Sequence, residues 1–327
     1  MRKGALKKLL SPRFMCSEIL DVHRQVERMV RETPNAAFRT YWVNTAKGMK
    51  PLAAVDFMAE KSFESSINHT FGTDSVLVIG EESLDSADLE SENRICILVD
   101  MIDGTDLLQR GFANWCSAVI VFAPQPKPPR ILASFVAVKG EALYFANEHG
   151  AYRWPLRRRV TQGVSRLFIP RVNQGLKDAT VCMYAQKGSR LLGLLSLHKT
   201  GLPAWLEGLK TGDRALKRNV NRSPDNLEST FRFYDLAGNP MMCRMLTGKV
   251  AIVFDLEGQS PHDVVPGAFI SLKGGASFCT PAGVPITESQ LAETLLRPGV
   301  SDLKYVLAST EELSQEFRQV LALSDPS

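Results

Sequence analysis

Five consecutive apolar residues, Ile95 to Val99, run directly into Asp100, and a second aspartate follows three positions later in Asp-Met-Ile-Asp-Gly-Thr. A run of this length, ended by charged residues, reads as a strand in the core of a sheet. Carboxylates at the end of a buried strand are costly unless a cation or hydrogen bonds compensate. Asp100 and Asp103 can both turn inward there and grip one hard cation. Gly104 and Thr105 can open a helix or turn whose free N–H groups face an anion. A metal beside anion-binding backbone is what phosphate ester hydrolysis needs. A plainer reading of Asp103 alone is a turn residue, since Asp-Gly-Thr is common where Asp caps and Gly supplies positive φ.

Two further acidic segments add weight. Val78-Ile-Gly-Glu-Glu-Ser83 places Glu81 just past a second apolar run, Val76 to Ile79, on what reads as an adjacent strand end. Ser260-Pro-His-Asp-Val-Val-Pro-Gly-Ala-Phe-Ile270 opens a helix for which Asp263 is the simplest N-cap; a capping Asp can still offer its outer oxygen to a metal. Two like charges about 4 Å apart repel by roughly 4 kcal/mol at an effective dielectric of ~20. Four carboxylates crowded together therefore call for a cation. The D-x-D-G-T pattern of haloacid dehalogenase-type phosphatases is excluded by spacing, because its first Asp would fall on Met101.

The remaining chain supplies a scaffold. Residues 15–35 and 52–70 carry helical spacing, with Phe57, Phe63 and Ile67 read as one apolar face of the second. Strands are expected at 118–122, 131–138, 142–146, 150–154, 179–184 and 249–255, and helices at 188–197, 236–247 and 262–273. Residues 205–230 read as a polar loop. The alternation predicts an α/β or α+β class, with sheets covered by helices. At 327 residues, 44% of them apolar, the chain can form one large domain or two closely packed ones. The expected division is an N-terminal half, 1–155, with most metal ligands, and a C-terminal half, 156–327, with the last ligand and the substrate-selecting residues. No apolar run is long enough to cross a bilayer, which predicts a soluble protein without a membrane partner. The basic N-terminus lacks the apolar stretch of a secretory signal and reads as a solvated or partner-facing helix. Six scattered cysteines without a C-x-x-C pair predict free buried thiols in a reducing cytoplasm. A net charge of +4 is small for this length, arguing against a nucleic-acid partner.

Taken in order, Gly-Glu-Glu-Ser, Asp-Met-Ile-Asp-Gly-Thr and His-Asp-x-x-x-Gly-Ala resemble the inositol monophosphatase and fructose bisphosphatase superfamily, whose members show G-E-E, D-P-x-D-G-T and W-D-x-x-x-G. Leu52-Ala-Ala-Val-Asp56 resembles its T-x-x-D segment, Glu141 to Tyr152 its meander, and Gly274-Gly-Ala-Ser-Phe the strand after its last motif. The resemblance spans roughly 50–154 and 231–320. It implies a layered α-β-α-β-α sandwich, a homodimer and two or three Mg²⁺ ions. One ion would be held by Glu81, Asp100 and the Ile102 carbonyl, a second by Asp100, Asp103 and Asp263. It also implies that Asp56 and Thr105, with Glu81, act on the attacking water, and that Gly104 and Thr105 N–H groups receive phosphate. Asp255 or Glu257 would meet a hydroxyl of a small phosphorylated metabolite. Magnesium suits a set of hard oxygens. The implied activity is inositol monophosphatase-like. A 3′(2′),5′-bisphosphate nucleotidase, a fructose-1,6-bisphosphatase and a phosphate-sensing pseudophosphatase are the alternatives. Met101 and His262 stand where the family has Pro and Trp, and Asp106 adds charge beside the phosphate pocket. Loss of the proline is expected to loosen the loop, and His262 to pack as the Trp does. The arginines 153 and 157–159 and the basic residues 210, 214, 217, 218 and 222 read first as solvated faces.

Overall fold

The computed structural model describes residues 1–45, 48–81, 89–112, 114–156, 163–170, 175–183, 202, 203, 205, 231–236, 238–297 and 302–322. The chain opens with helices α1 (Lys3–Leu9), α2 (Pro12–Glu32) and α3 (Pro34–Ala37). An antiparallel hairpin follows, β1 (Thr40–Thr45) with β2 (Gly48–Ala53), and then helix α4 (Ala54–Phe71). The helix expected from residue 52 therefore starts two residues later, because Leu52 and Ala53 pair with Tyr41 and Thr40. Its buried stripe is Val55, Ala59, Phe63 and Ile67, spaced by four. Phe57 is half exposed and does not belong to that face.

A seven-stranded sheet comes next: β3 (Val76–Gly80), β4 (Ile95–Asp103), β5 (Cys116–Ala123), β6 (Arg130–Val138), β7 (Ala142–Asn147), β8 (Gly150–Pro155) and β9 (Ser165–Leu167). The strands lie in sequence order, and all pairs are antiparallel except β3 with β4. A short helix α5 (Thr105–Gln109) follows β4. The second sheet has the order β11-β10-β12-β14-β13, built from β10 (Thr180–Met183), β11 (Arg232–Tyr234), β12 (Ile252–Gln259), β13 (Ser277–Cys279) and β14 (Leu303–Ala308). Helices α6 (Asn239–Met245), α7 (Pro261–Lys273), α8 (Glu288–Thr294) and α9 (Glu311–Ala322) complete the described elements.

Period-two alternation sorts the side chains into layers. Ile97, Val99, Val119 and Phe135 face α2 and α4, sharing one core with Val22, Val26, Phe63 and Ile67. Cys96, Leu98, Ala118 and Ile120 face the other way, into a core with Met242 of α6, Val265 and Phe269 of α7, and Val253 and Tyr305 of the second sheet. The far side of that sheet packs Ile252, Phe254 and Val306 on Phe317 of α9. The order is α-β-α-β-α, as the resemblance implied. α1 is not wholly solvated, since Leu9 is fully buried. The six cysteines are free and buried. Among the described residues no helix is long and apolar enough to cross a membrane. The expected helix 188–197, the polar stretch 206–230 with its basic residues, and Arg157 to Arg159 lie outside the described residues.

Candidate active site

The site begins with a register shift. Asp100 pairs with Ala118 of β5, but Asp103 pairs with Cys116, so three steps on β4 match two on β5. In a regular strand, residues three apart point to opposite faces. The bulge supplies the extra residue and brings Asp103 round to the face of Cys96, Leu98 and Asp100, toward α7. Asp263 meets them there. One oxygen from each of Asp100, Asp103 and Asp263 lies within 4.8 Å of the other two.

Asp263 occupies the first turn of α7, not its cap: the N-cap is Ser260, whose carbonyl accepts the Asp263 N–H at 3.1 Å. An acidic group in that position also suits the helix dipole. Pro266 lies inside the same helix and has no N–H to give to the His262 carbonyl four residues back. Asn239, fully buried at the start of α6, fills the gap: its Nδ2 donates to the His262 carbonyl at 3.0 Å and to Asp103 Oδ2 at 3.0 Å. Its Oδ1 accepts the Gly267 N–H at 2.8 Å. Any side chain at Gly267 would press on the Asn239 backbone and Met242, so the glycine of the His-Asp-x-x-x-Gly segment permits this close approach of α6 to α7. One amide thus ties the Asp103 carboxylate to the helix that carries Asp263.

The turn after β4 is equally tied. Asp100 Oδ1 accepts the Ile102 N–H at 3.0 Å. Gly104 is the left-handed N-cap of α5 at φ 102°, a conformation that favours glycine. Thr105 Oγ1 lies 2.8 Å from Asp56 Oδ1 and 3.1 Å from the Ile102 carbonyl oxygen. The Met101 side chain is buried on the α2–α4 side, and Ser117 Oγ donates to its carbonyl at 2.7 Å. Ser117 in turn accepts from His23 Nε2 at 2.8 Å, which puts a proton on Nε2. Burial, with the Lys139 charge second, pulls His23 down to about 3, which keeps the imidazole neutral. Ser117→Ala would leave the His23 N–H and the Met101 carbonyl unpaired, each at about 1–3 kcal/mol. We expect urea unfolding to report a loss of at least about 2 kcal/mol; an unchanged midpoint would refute the pairing.

Electrostatics follow from this crowding. Burial, and then the Glu81, Asp103, Asp263 and Glu60 carboxylates, push Asp100 well above the usual carboxylate range. Burial and Asp263 push Asp103 up to about 7, against donation from Asn239 and Cys116 and the nearby His262, which pull it down. His262 is buried, but it is not a simple packing residue. Its Nε2 lies 3.6 Å from both Glu81 Oε1 and Asp263 Oδ1. Acidic oxygens kept from ionising together by burial and repulsion form a donor set that fits a divalent cation with oxygen preference.

The sequence-predicted residues are thus brought together in part. Asp100, Asp103 and Asp263 form the cluster, Glu81 adjoins Asp100 through its charge, and Asp56 meets Thr105. Asp255 is fully buried, and its Oδ1 accepts the N–H groups of Glu257 and Gly258 at 2.9 and 2.6 Å, shaping a turn. Glu257 is exposed. Sequence reasoning missed Asn239, Ser117, His23 and Glu60. A proline inside the α7 pattern was the available signal for the first, since it frees a carbonyl that needs another donor.

A layered sandwich with carboxylates converging between its sheet and central helices is the class that this geometry defines. No protein-family model matches the sequence, and neither does any curated protein. Solved structures do match. Inositol monophosphatase II from Staphylococcus aureus is 18% identical, with a TM-score of 0.57, over 94% of this chain and 92% of that one. SaIMPase-II with 2′AMP bound is 18% identical at TM-score 0.59, over 94% and 93%. An IMPase/NADP phosphatase complexed with NADP and Ca²⁺ is 14% identical at TM-score 0.61, over 98% and 96%. The chain has the inositol monophosphatase fold.

Proposed function

We propose that this chain is a Mg²⁺-dependent phosphomonoesterase acting on a small phosphorylated metabolite, with inositol monophosphatase-like activity. The observation that carries the reading is the β4 bulge, which turns Asp100 and Asp103 onto the face that Asp263 reaches. Glu81, Asp100 and the Ile102 carbonyl would hold one ion, and Asp100, Asp103 and Asp263 a second. Ions held there would neutralise phosphoryl oxygens and acidify the attacking water. Asp56 Oδ1 accepts a hydrogen bond from the Thr105 hydroxyl, whose own oxygen keeps lone pairs that can accept from water. Thr105 therefore orients the nucleophile, and Asp56 is placed to take up its proton. The Gly104 and Thr105 N–H groups receive phosphate oxygens. Asp255 is committed to its turn, and the exposed Glu257 beside it would meet a substrate hydroxyl.

A second reading is favoured by the neighbours with 2′AMP and NADP: a nucleotide phosphate as substrate. Phosphate release with Mg²⁺ from inositol 1-phosphate, 2′AMP, NADP, 3′-phosphoadenosine 5′-phosphate and fructose 1,6-bisphosphate separates the cases. We expect inositol 1-phosphate to lead the bisphosphates by at least about tenfold, which is ~1.4 kcal/mol in transition-state binding. No release from any of the five would overturn the enzymatic reading in favour of a binding protein.

A further inference from the structure

Asp56 and Glu60 are one turn apart on α4, so the same side of the helix presents both carboxylates to the sheet. Asp56 reaches Thr105 at the end of β4. Glu60 reaches the end of β3, where its Oε1 accepts the Glu81 backbone N–H at 2.9 Å. Its seat exists because residue 80 is glycine: a methyl group added there would collide with the Glu60 carboxylate, while the Gly80 backbone itself is unstrained. The β3 and β4 ends are neighbours in the parallel pair, Gly80 lying opposite Val99, one residue before Asp100.

Resting on the metal-dependent reading above, we propose that Glu60 is a positioning residue for the metal site. Its carboxylate clamps the Glu81 backbone, so that the Glu81 side chain is held toward Asp100, and Gly80 is the seat that admits the clamp. α4 is then a rail: one turn aligns the Thr105 hydroxyl, the next aligns the Glu81 ligand, and their spacing is set by the helix pitch. Oriented outer partners of metal ligands typically govern affinity by about 10–100-fold. The charge of Glu60 has a separate effect, since it also lies close enough to raise the Asp100 pKa. A test must therefore separate placement from charge.

Two substitutions do so. Gly80→Ala keeps the Glu60 charge but evicts the carboxylate from its seat, and the long side chain can swing aside without backbone change. Glu60→Gln removes the charge but leaves an amide oxygen to accept the Glu81 N–H. The probe is Mn²⁺ alone, titrated into the 327-residue chain and followed by the EPR signal of the free ion, with circular dichroism to establish folding. We expect Gly80→Ala to weaken Mn²⁺ binding about 10–100-fold and Glu60→Gln by less than about threefold. Should Gly80→Ala not fold, Glu60→Ala empties the same position and is compared with Glu60→Gln, with the same ratio expected. Unaltered affinity in the evicted variant would overturn the clamp while leaving the metal site intact. Equal losses in the Ala and Gln variants would also overturn it, in favour of charge alone. A wild-type chain that binds no Mn²⁺ would overturn both the clamp and the metal-dependent reading.

Discussion

Asp103→Asn is expected to lower phosphate release by at least about 10³-fold while making the metal-free protein more heat-stable near pH 8. The activity loss follows from removing one charged oxygen donor from the three-aspartate cluster. Stabilisation of transition-state charge by a bound ion amounts to several kcal/mol, and each ~1.4 kcal/mol is a factor of ten in rate. The stability gain has the opposite sign because Asp103, with a pKa of about 7, is ionised at pH 8 only against burial and the Asp263 charge. Asparagine removes that charge and still offers an oxygen to the Asn239 amide, so the link to α7 is kept. Phosphate release and thermal melts in EDTA on one preparation check both. A variant that loses activity and melts earlier would mean that Asp103 serves the fold more than the reaction.

The second large effect is the pH dependence of metal-free stability. Asp103 titrates near 7 in the native state and near 3.8 when free, so between those values the native state holds a proton that the unfolded state has lost. Stability then falls as pH rises through this window, and Asp100, displaced in the same direction, adds to the fall. His23 acts oppositely, because its native pKa of about 3 lies below its ordinary 6.5; its contribution is lost as pH falls under 6.5. Of these three groups, the two aspartates are the ones that still act above pH 6.5. Cys16 and Cys96, pushed up to about 11 and 12, begin to matter only near the ordinary thiol range. In EDTA, the melting temperature should therefore decline between pH 6.5 and 8. With Mg²⁺ at a hundred times its dissociation constant the protein should gain about 2.7 kcal/mol at pH 8, and the decline should flatten. Superimposable melts with and without Mg²⁺ would remove the case for an occupied carboxylate site.

Much of the site could be read from residue order, because the acidic segments are local and each adjoins an apolar run that fixes its strand or helix. The bulge was not visible. Asp100 and Asp103 are an odd number of residues apart, and only their pairing with Ala118 and Cys116 reveals that they share a face. Phe57 was assigned to the wrong face because six residues along a helix turn through 600°, which leaves it far from Phe63. Glu60 looks like any surface glutamate of a helix until the β3 end is placed against it. Asn239, His23 and Ser117 act through partners 16 to 136 positions away, and no local pattern encodes those distances. Strand β14 and the helices α8 and α9 are not among the expected elements, and β13 is expected only through the resemblance.

The proline inside α7 has a consequence for assembly. Because its opening turn borrows a donor from Asn239, the end of the helix bearing Asp263 is not finished by its own sequence. A ribosome-bound chain that has emerged only through the first sheet carries its aspartates but has no cage around them, and even a nascent α7 lacks its final shape until α6 docks. The three-aspartate cluster of Asp100, Asp103 and Asp263 is thus complete only once α7 has emerged and docked.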